Sequence, residues 1–317
     1  MEWAQPGQRD LSLARRPPRD SEKPASWCMG YMIENCSMSC AFNNRSHINS
    51  SKLLVFTALH LHILFKSYLR IMKISSSLFI TVIGAIATIT NAVEFEIVNK
   101  EIGAVWVGIQ GNAGKPHLEN GGFVLEAGAR RTIHAPEDWA GRFWGRTWCD
   151  YNSKHCITGD CGNKLECRGA GGVPPVTLAE ITLKGWGGID YYDISLVDGF
   201  NLAMSMTPVN GQGDGSRYSC KRTACLRHLN DDCPGELRKT TEHGTVACHS
   251  ACNKFNTDQY CCRNAHNRPE TCRSSSWPKD YPKFFKDRCP DAYSYAYDDH
   301  KSTFTCKASK YIVQIGI

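Results

Sequence analysis

Fourteen of the chain's cysteines fall between Cys149 and Cys306, and they constrain the fold more than any other feature of the sequence. Seventeen cysteines in 317 residues are too many for a chain living among cytosolic thiol reductants. An even number within one stretch is what a closed disulfide framework needs. Zinc is the rival explanation, but zinc ligands come in matched close pairs. Here the spacings are uneven, with Cys220, Cys225 and Cys233 apart and Cys261–Cys262 adjacent, and no CxxC pair occurs. The eleven histidines show no metal spacing either, so neither a metal nor another cofactor is expected. The three remaining cysteines, Cys28, Cys36 and Cys40, lie upstream.

The charge divides in the same way. Residues 1–92 carry 10 Lys+Arg against 5 Asp+Glu, whereas 93–317 carry 27 against 26, so the formal +6 belongs mostly to the front end. The rest gives no net-charge argument for nucleic acid as a partner. Met72-Lys73 opens a charged start, followed by an uncharged apolar run, Ile74–Ile89, and small residues before Val93. That layout is a secretory signal peptide over residues 72–92, which predicts a secreted protein. A second apolar stretch, Leu53–Phe65, stands upstream, and Lys66, Arg70 and Lys73 interrupt the region. Neither half reaches the roughly 20 residues of a membrane span, so no stable span is expected. Residues 1–71 read as disordered chain or as an extension of the reading frame, with translation starting at Met72. The other reading makes 53–92 a signal anchor. Sequons at Asn35, Asn44 and Asn49 all lie in this front segment.

From Val93 onward the pattern is strand-like. Val93–Val98 alternates apolar and polar, and Ala104–Ile109, Phe123–Ala127, Arg131–Ala135, Arg142–Trp148, Leu178–Leu183, Tyr191–Val197 and Asn201–Thr207 repeat the theme between turn clusters. Short strands at this spacing predict a mainly β fold, a sandwich or a barrel. Residues 220–289 differ, with nine cysteines and few apolar runs, so cross-links must hold a lobe that has no core of its own. Helices are expected there over 245–256 and 281–287. Strands return at Thr303–Cys306 and Tyr311–Ile315.

Specific motifs follow this plan. Cys156-Ile-Thr-Gly-Asp-Cys-Gly-Asn-Lys-Leu-Glu-Cys167 is flanked by Phe95–Lys100, Trp144–Cys149, Pro174–Glu180, Tyr192–Asn201, Gln259–Arg263 and Arg288–Tyr295. Together these resemble the thaumatin-like (pathogenesis-related class five) family, in family order, across essentially all of 93–317. The resemblance implies an antiparallel β-sandwich core (about 93–148, 168–219 and 290–317), a small disulfide loop (149–167) and a disulfide-rich, partly helical lobe (about 220–289). It further implies seven bridges: Cys149–Cys156, Cys161–Cys167, Cys220–Cys306, Cys225–Cys289, Cys233–Cys248, Cys252–Cys261 and Cys262–Cys272. The family commonly has sixteen cysteines. Glu101 and Gly316 stand where the other two would be, so one bridge is lost without leaving a free thiol. Without it, the N-terminal strand is expected to fray more than in sixteen-cysteine relatives.

The resemblance also implies an acidic cleft built from Arg146, Glu180, Asp193, Asp198 and Asp291. Crowded carboxylates raise one another's proton affinity, while a nearby guanidinium keeps some ionised. Such a cleft can bind sugar hydroxyls. With two carboxyls suitably placed it can also hydrolyse a glycosidic bond, and Glu180 with Asp193 or Asp198 is the pair expected. Trp106, Trp144 and Trp186 are expected in the core. Three functions compete. The leading one is an antifungal defence protein, a monomer binding β-1,3-glucan or another microbial wall polysaccharide. The second is a weak endo-β-1,3-glucanase using the same carboxylates. The third is a hydrolase inhibitor or other extracellular interaction module.

Overall fold

The computed structural model describes residues 92–298 and 302–317. The expectations for 1–71 and, apart from Ala92, for 72–92 lie outside the described residues. Among these residues fourteen strands follow in order: β1 (Val93–Asn99), β2 (Val105–Gly111), β3 (Gly122–Leu125), β4 (Arg130–Ala135), β5 (Ala140–Cys149), β6 (Cys156–Thr158) and β7 (Leu178–Thr182). They continue with β8 (Asp190–Ser195), β9 (Met204–Val209), β10 (Thr223–Cys225), β11 (Arg238–Thr241), β12 (Gly244–Cys248), β13 (Phe304–Cys306) and β14 (Lys310–Ile315).

Two sheets form the sandwich. One has the order β10-β9-β14-β1-β4, the other β13-β8-β7-β5-β2-β3, with β6 on the far end of β5. All pairings are antiparallel except β1 with β14, which run parallel with Phe95 opposite Tyr311. Alternation explains the faces. Phe95 and Ile97 from one sheet and Val107, Ile109, Phe143, Ile181 and Ile194 from the other are buried between the layers. Phe95 sits at the centre, with ring centroids 5.0 Å from Phe143, 5.7 Å from Trp139 and 5.8 Å from Tyr311. Of the three tryptophans expected in the core, Trp106 and Trp144 are buried and Trp186 is exposed. Trp144 lies flat over Gly108, where a Cβ would come within 2.1 Å of the indole.

The cysteine-rich lobe carries four short helices, α1 (Leu229–Asp232), α2 (Ala251–Phe255), α3 (Asp258–Cys261) and α4 (Tyr281–Arg288). The helix expected over 245–256 forms only in its second half. Residues 244–248 pair instead with β11 as a hairpin, because Val246 and Cys248 alternate as strand residues do. Helix α2 begins where Ser250 accepts the Asn253 N–H, and it ends at Asn256 with φ 50°. Helix α4 is capped by Asp280, which accepts from Lys283 N–H.

Among the described residues seven disulfides close: Cys149–Cys156, Cys161–Cys167, Cys220–Cys306, Cys225–Cys289, Cys233–Cys248, Cys252–Cys261 and Cys262–Cys272. The lobe is not held by these alone. Leu229, Leu237, Trp277, Tyr281 and Phe285 are buried, and they belong to the same apolar cluster as the sandwich interior. Phe200 and Cys248 exchange both backbone hydrogen bonds, which locks lobe to sheet. No helix among the described residues is long and apolar enough to cross a membrane.

Gly316 and Glu101 face each other: a Cβ on Gly316 would lie 2.7 Å from Glu101 N. Lys100 N–H closes that corner on Ile315 O at 2.7 Å. Strand β1 is hydrogen-bonded on both edges, to β14 and β4, and three of its side chains, Phe95, Ile97 and Asn99, are fully buried. This argues against the fraying expected from the absent bridge. Hydrogen exchange at the Phe95 and Ile97 amides should therefore match the protection of β14, and early exchange confined to β1 would contradict it.

Candidate functional site

The outer face of the larger sheet carries a row of polar side chains drawn from four neighbouring strands. Gln110 of β2 is opposite Arg142 of β5, Arg142 opposite Glu180 of β7, and Glu180 opposite Asp193 of β8. Side chains on one face at paired positions must meet, so the row is set by register alone. Arg142 Nη2 lies 3.4 Å from Glu180 Oε1, and both side chains are 18% exposed.

Asp198 joins the row from the turn that follows β8. Gly199 N–H bonds Leu196 O at 2.9 Å, and Val176 N–H bonds the Asp198 carbonyl at 3.0 Å. Burial, and then the charge of Glu180, push the Asp198 carboxyl up to about 6, against the pull of Arg142. A protonated Asp198 can donate a hydrogen bond where its neighbour Glu180 accepts. Asp291 stands two residues before Tyr293, which runs beside Ser195 at the end of β8.

Arg146 does not belong to this group. It lies on the same face of β5 as Arg142, but four residues on, where the loop closed by Cys161–Cys167 covers the sheet. Its side chain is fully buried. The guanidinium donates to the carbonyls of Lys164 (2.6 Å), Leu165 (2.7 Å), Val107 (2.9 Å) and Trp106 (3.2 Å). Burial pushes it down to about 10, with Asp160 opposing. Asp160 in turn is engaged by the backbone N–H groups of Gly162, Asn163 and Cys156. Arg146 thus holds a loop to a sheet, and Arg142 is the guanidinium beside the carboxylates. The signal for Arg142 was in the sequence, since 142, 144 and 146 share a face. Which of them the loop covers was not.

Asp198 gives a pH prediction with a definite sign. Its folded carboxyl binds protons more tightly than an unfolded one, so the fold gains from it fully below about pH 4 and loses that gain as pH rises through about 6. At neutral pH the cost is on the order of 3 kcal/mol. Asp198→Asn should therefore melt higher than the parent at pH 7, with the difference vanishing near pH 4. A difference independent of pH would show that Asp198 is not the titrating group.

This geometry can be set beside known proteins. A sequence model described as the thaumatin family matches residues 99–316. The chain belongs to the thaumatin family. Its fold is the thaumatin-like one, mainly β with two sheets and a disulfide-rich, partly helical region. Pathogenesis-related protein 5 of Arabidopsis thaliana is 51% identical over 223 residues, covering 69% of this chain and 88% of that protein. Pathogenesis-related thaumatin-like protein 3.5 of Cryptomeria japonica is 46% identical over 225 residues, covering 70% and 89%. A Prunus avium protein named glucan endo-1,3-beta-glucosidase is 48% identical over 207 residues, covering 64% and 81%. The chain is thus a thaumatin-like protein of the pathogenesis-related class-five kind. Its first 98 residues lie outside the family match.

Proposed function

We propose that this thaumatin-like protein is secreted and acts in antifungal defence by binding β-1,3-glucan at Arg142, Glu180, Asp193, Asp198 and Asp291. The cross-strand row carries the reading. It offers fixed acceptors, a guanidinium donor and one carboxyl that can donate, on a face flanked by the lobe, which suits recognition of a polyhydroxyl ligand. Seven disulfides suit an oxidising compartment and support secretion. The test is a pull-down on insoluble β-1,3-glucan. Glu180→Gln keeps the shape of the side chain but removes the charge that orders Arg142, and it should weaken retention roughly tenfold, as expected for losing a charge-assisted contact. Full retention by this variant would reject the site.

A weak endo-β-1,3-glucanase activity is the second reading. The raised Asp198 carboxyl favours it, as does the activity named for the Prunus avium relative. Asp198 would then serve as the acid and Glu180 as base or nucleophile, the second of the two pairings that the motifs leave open, Glu180 with Asp193 or with Asp198. Products released by the parent but not by Asp198→Asn, with binding retained, would establish it.

A further inference from the structure

One step along β7 and β8 from the carboxylates, the same sheet face dips. Ala140, Thr182 and Tyr191 form the next cross-strand row, and the first two are small where Arg142 and Glu180 are large. Over Ala140 and Thr182 opens a cavity of about 420 Å³, whose rim includes Asn112, Lys115, Asp138 and Lys184. The rim charges cancel locally. Lys115 Nζ lies 2.6 Å from Asp138 Oδ2, and Lys184 Nζ lies 2.5 Å from Glu137 Oε2. Paired charges of this kind give a polyanion no net field to follow, yet leave a neutral polyol donors and acceptors in fixed places.

The dip leads to the β7–β8 turn, which presents Trp186. Its side chain is 80% exposed, the most exposed aromatic among the described residues. The turn is held in place from below. The Tyr191 ring lies against Gly185, where a Cβ would come within 2.8 Å of Cδ2, and the Tyr191 hydroxyl donates to Trp186 O at 3.3 Å. A large exposed ring on an anchored turn is suited to stacking on the apolar face of a sugar. Glu180 and Thr182 are two residues apart on β7, roughly 7 Å at strand rise, and the turn that carries Lys184 and Trp186 lies beyond, so a ligand reaching from the carboxylates to the turn needs more than one sugar unit.

We propose that the cavity beside Thr182 and the Trp186 turn extend the acidic site into an elongated track for a neutral β-glucan chain, with further sugar units bound along β7 and β8. The proposal rests on the reading of the carboxylate row as a glucan site. The track makes affinity depend on ligand length, and Trp186 and Lys184 responsible for that dependence.

The experiment titrates a β-1,3-linked glucose trisaccharide and hexasaccharide into the parent protein, Trp186→Ala and Lys184→Ala, with thermal melts as a check on folding. The parent should bind the hexasaccharide roughly tenfold or more tighter than the trisaccharide, the size expected of a stacked ring plus polar contacts. In Trp186→Ala that ratio should fall towards one, with a smaller fall in Lys184→Ala. If the parent binds both sugars equally, or if the ratio survives in Trp186→Ala, the track is wrong and the carboxylate site stands. If the parent binds neither, both readings fall together.

Discussion

Arg146→Met is expected to cost about 5 kcal/mol of stability, because it leaves the carbonyls of Trp106, Val107, Lys164 and Leu165 without donors in a dry site. Methionine approximates the volume but supplies no N–H. Each carbonyl stripped of its partner loses on the order of 1–3 kcal/mol, and local relaxation recovers part of the total. The Cys161–Cys167 loop would then lose its hold on β5, although its disulfide keeps it closed. Arg146→Lys should fall between, since one ammonium cannot reach four acceptors spread on both sides of a planar fork. Urea unfolding with disulfides intact measures the effect. The informative contrary result is a variant of nearly parent stability that has lost glucan retention. That would return Arg146 to the binding site and remove the reason for preferring Arg142.

Removing both Cys220–Cys306 and Cys225–Cys289 by serine substitution should cost more than the sum of removing each alone. The two bridges are nested: the outer spans 86 residues and the inner 64. With either one present, the path through it shortens the loop that the other closes to about 22 residues, for which chain entropy predicts ~3.4 kcal/mol. With both gone the loops widen to roughly 50 and 30 residues, since the three bridges inside them remain, and the loss becomes ~7 kcal/mol, about 0.5 kcal/mol beyond additivity. Thermal melts of the two single-bridge variants and of the double variant make the comparison. Strict additivity would mean that the unfolded chain keeps its lobe compact without these links.

The strands and the carboxylates could be read from the sequence because each rests on a local rule. Period-two alternation in Val93–Val98 places Phe95 and Ile97 inside without any knowledge of their partners. Glu180 and Asp193 lie on strands whose alternation already points them away from the core. The arginine could not be read in the same way. Arg142 and Arg146 share a face, and only the return of the 161–167 loop, a contact between segments distant along the chain, separates an open guanidinium from a covered one. The helix over 245–256 failed for a related reason. Val246, Cys248, Cys252 and Phe255 fit a helical stripe, but the first two also fit a strand, and pairing with residues 238–241 decided between them. The lobe's interior was underestimated because its apolar residues are scattered singly. Trp277 and Phe285 need no run of neighbours when they join a cluster that the sandwich supplies.

The parallel pairing of the first and last strands has a mechanical consequence. Val93 begins β1 at the end where Lys310 begins β14, and both strands run the same way for six paired residues. Tension applied to the two ends of this domain therefore pulls the strands along their length in opposite directions. The ladder is loaded in shear, and its hydrogen bonds share the force instead of opening one after another. The corner without a disulfide, at Glu101 and Gly316, thus lies at one end of a ladder well placed to resist extension. Stretching single molecules by residues 93 and 317 should meet its first barrier there.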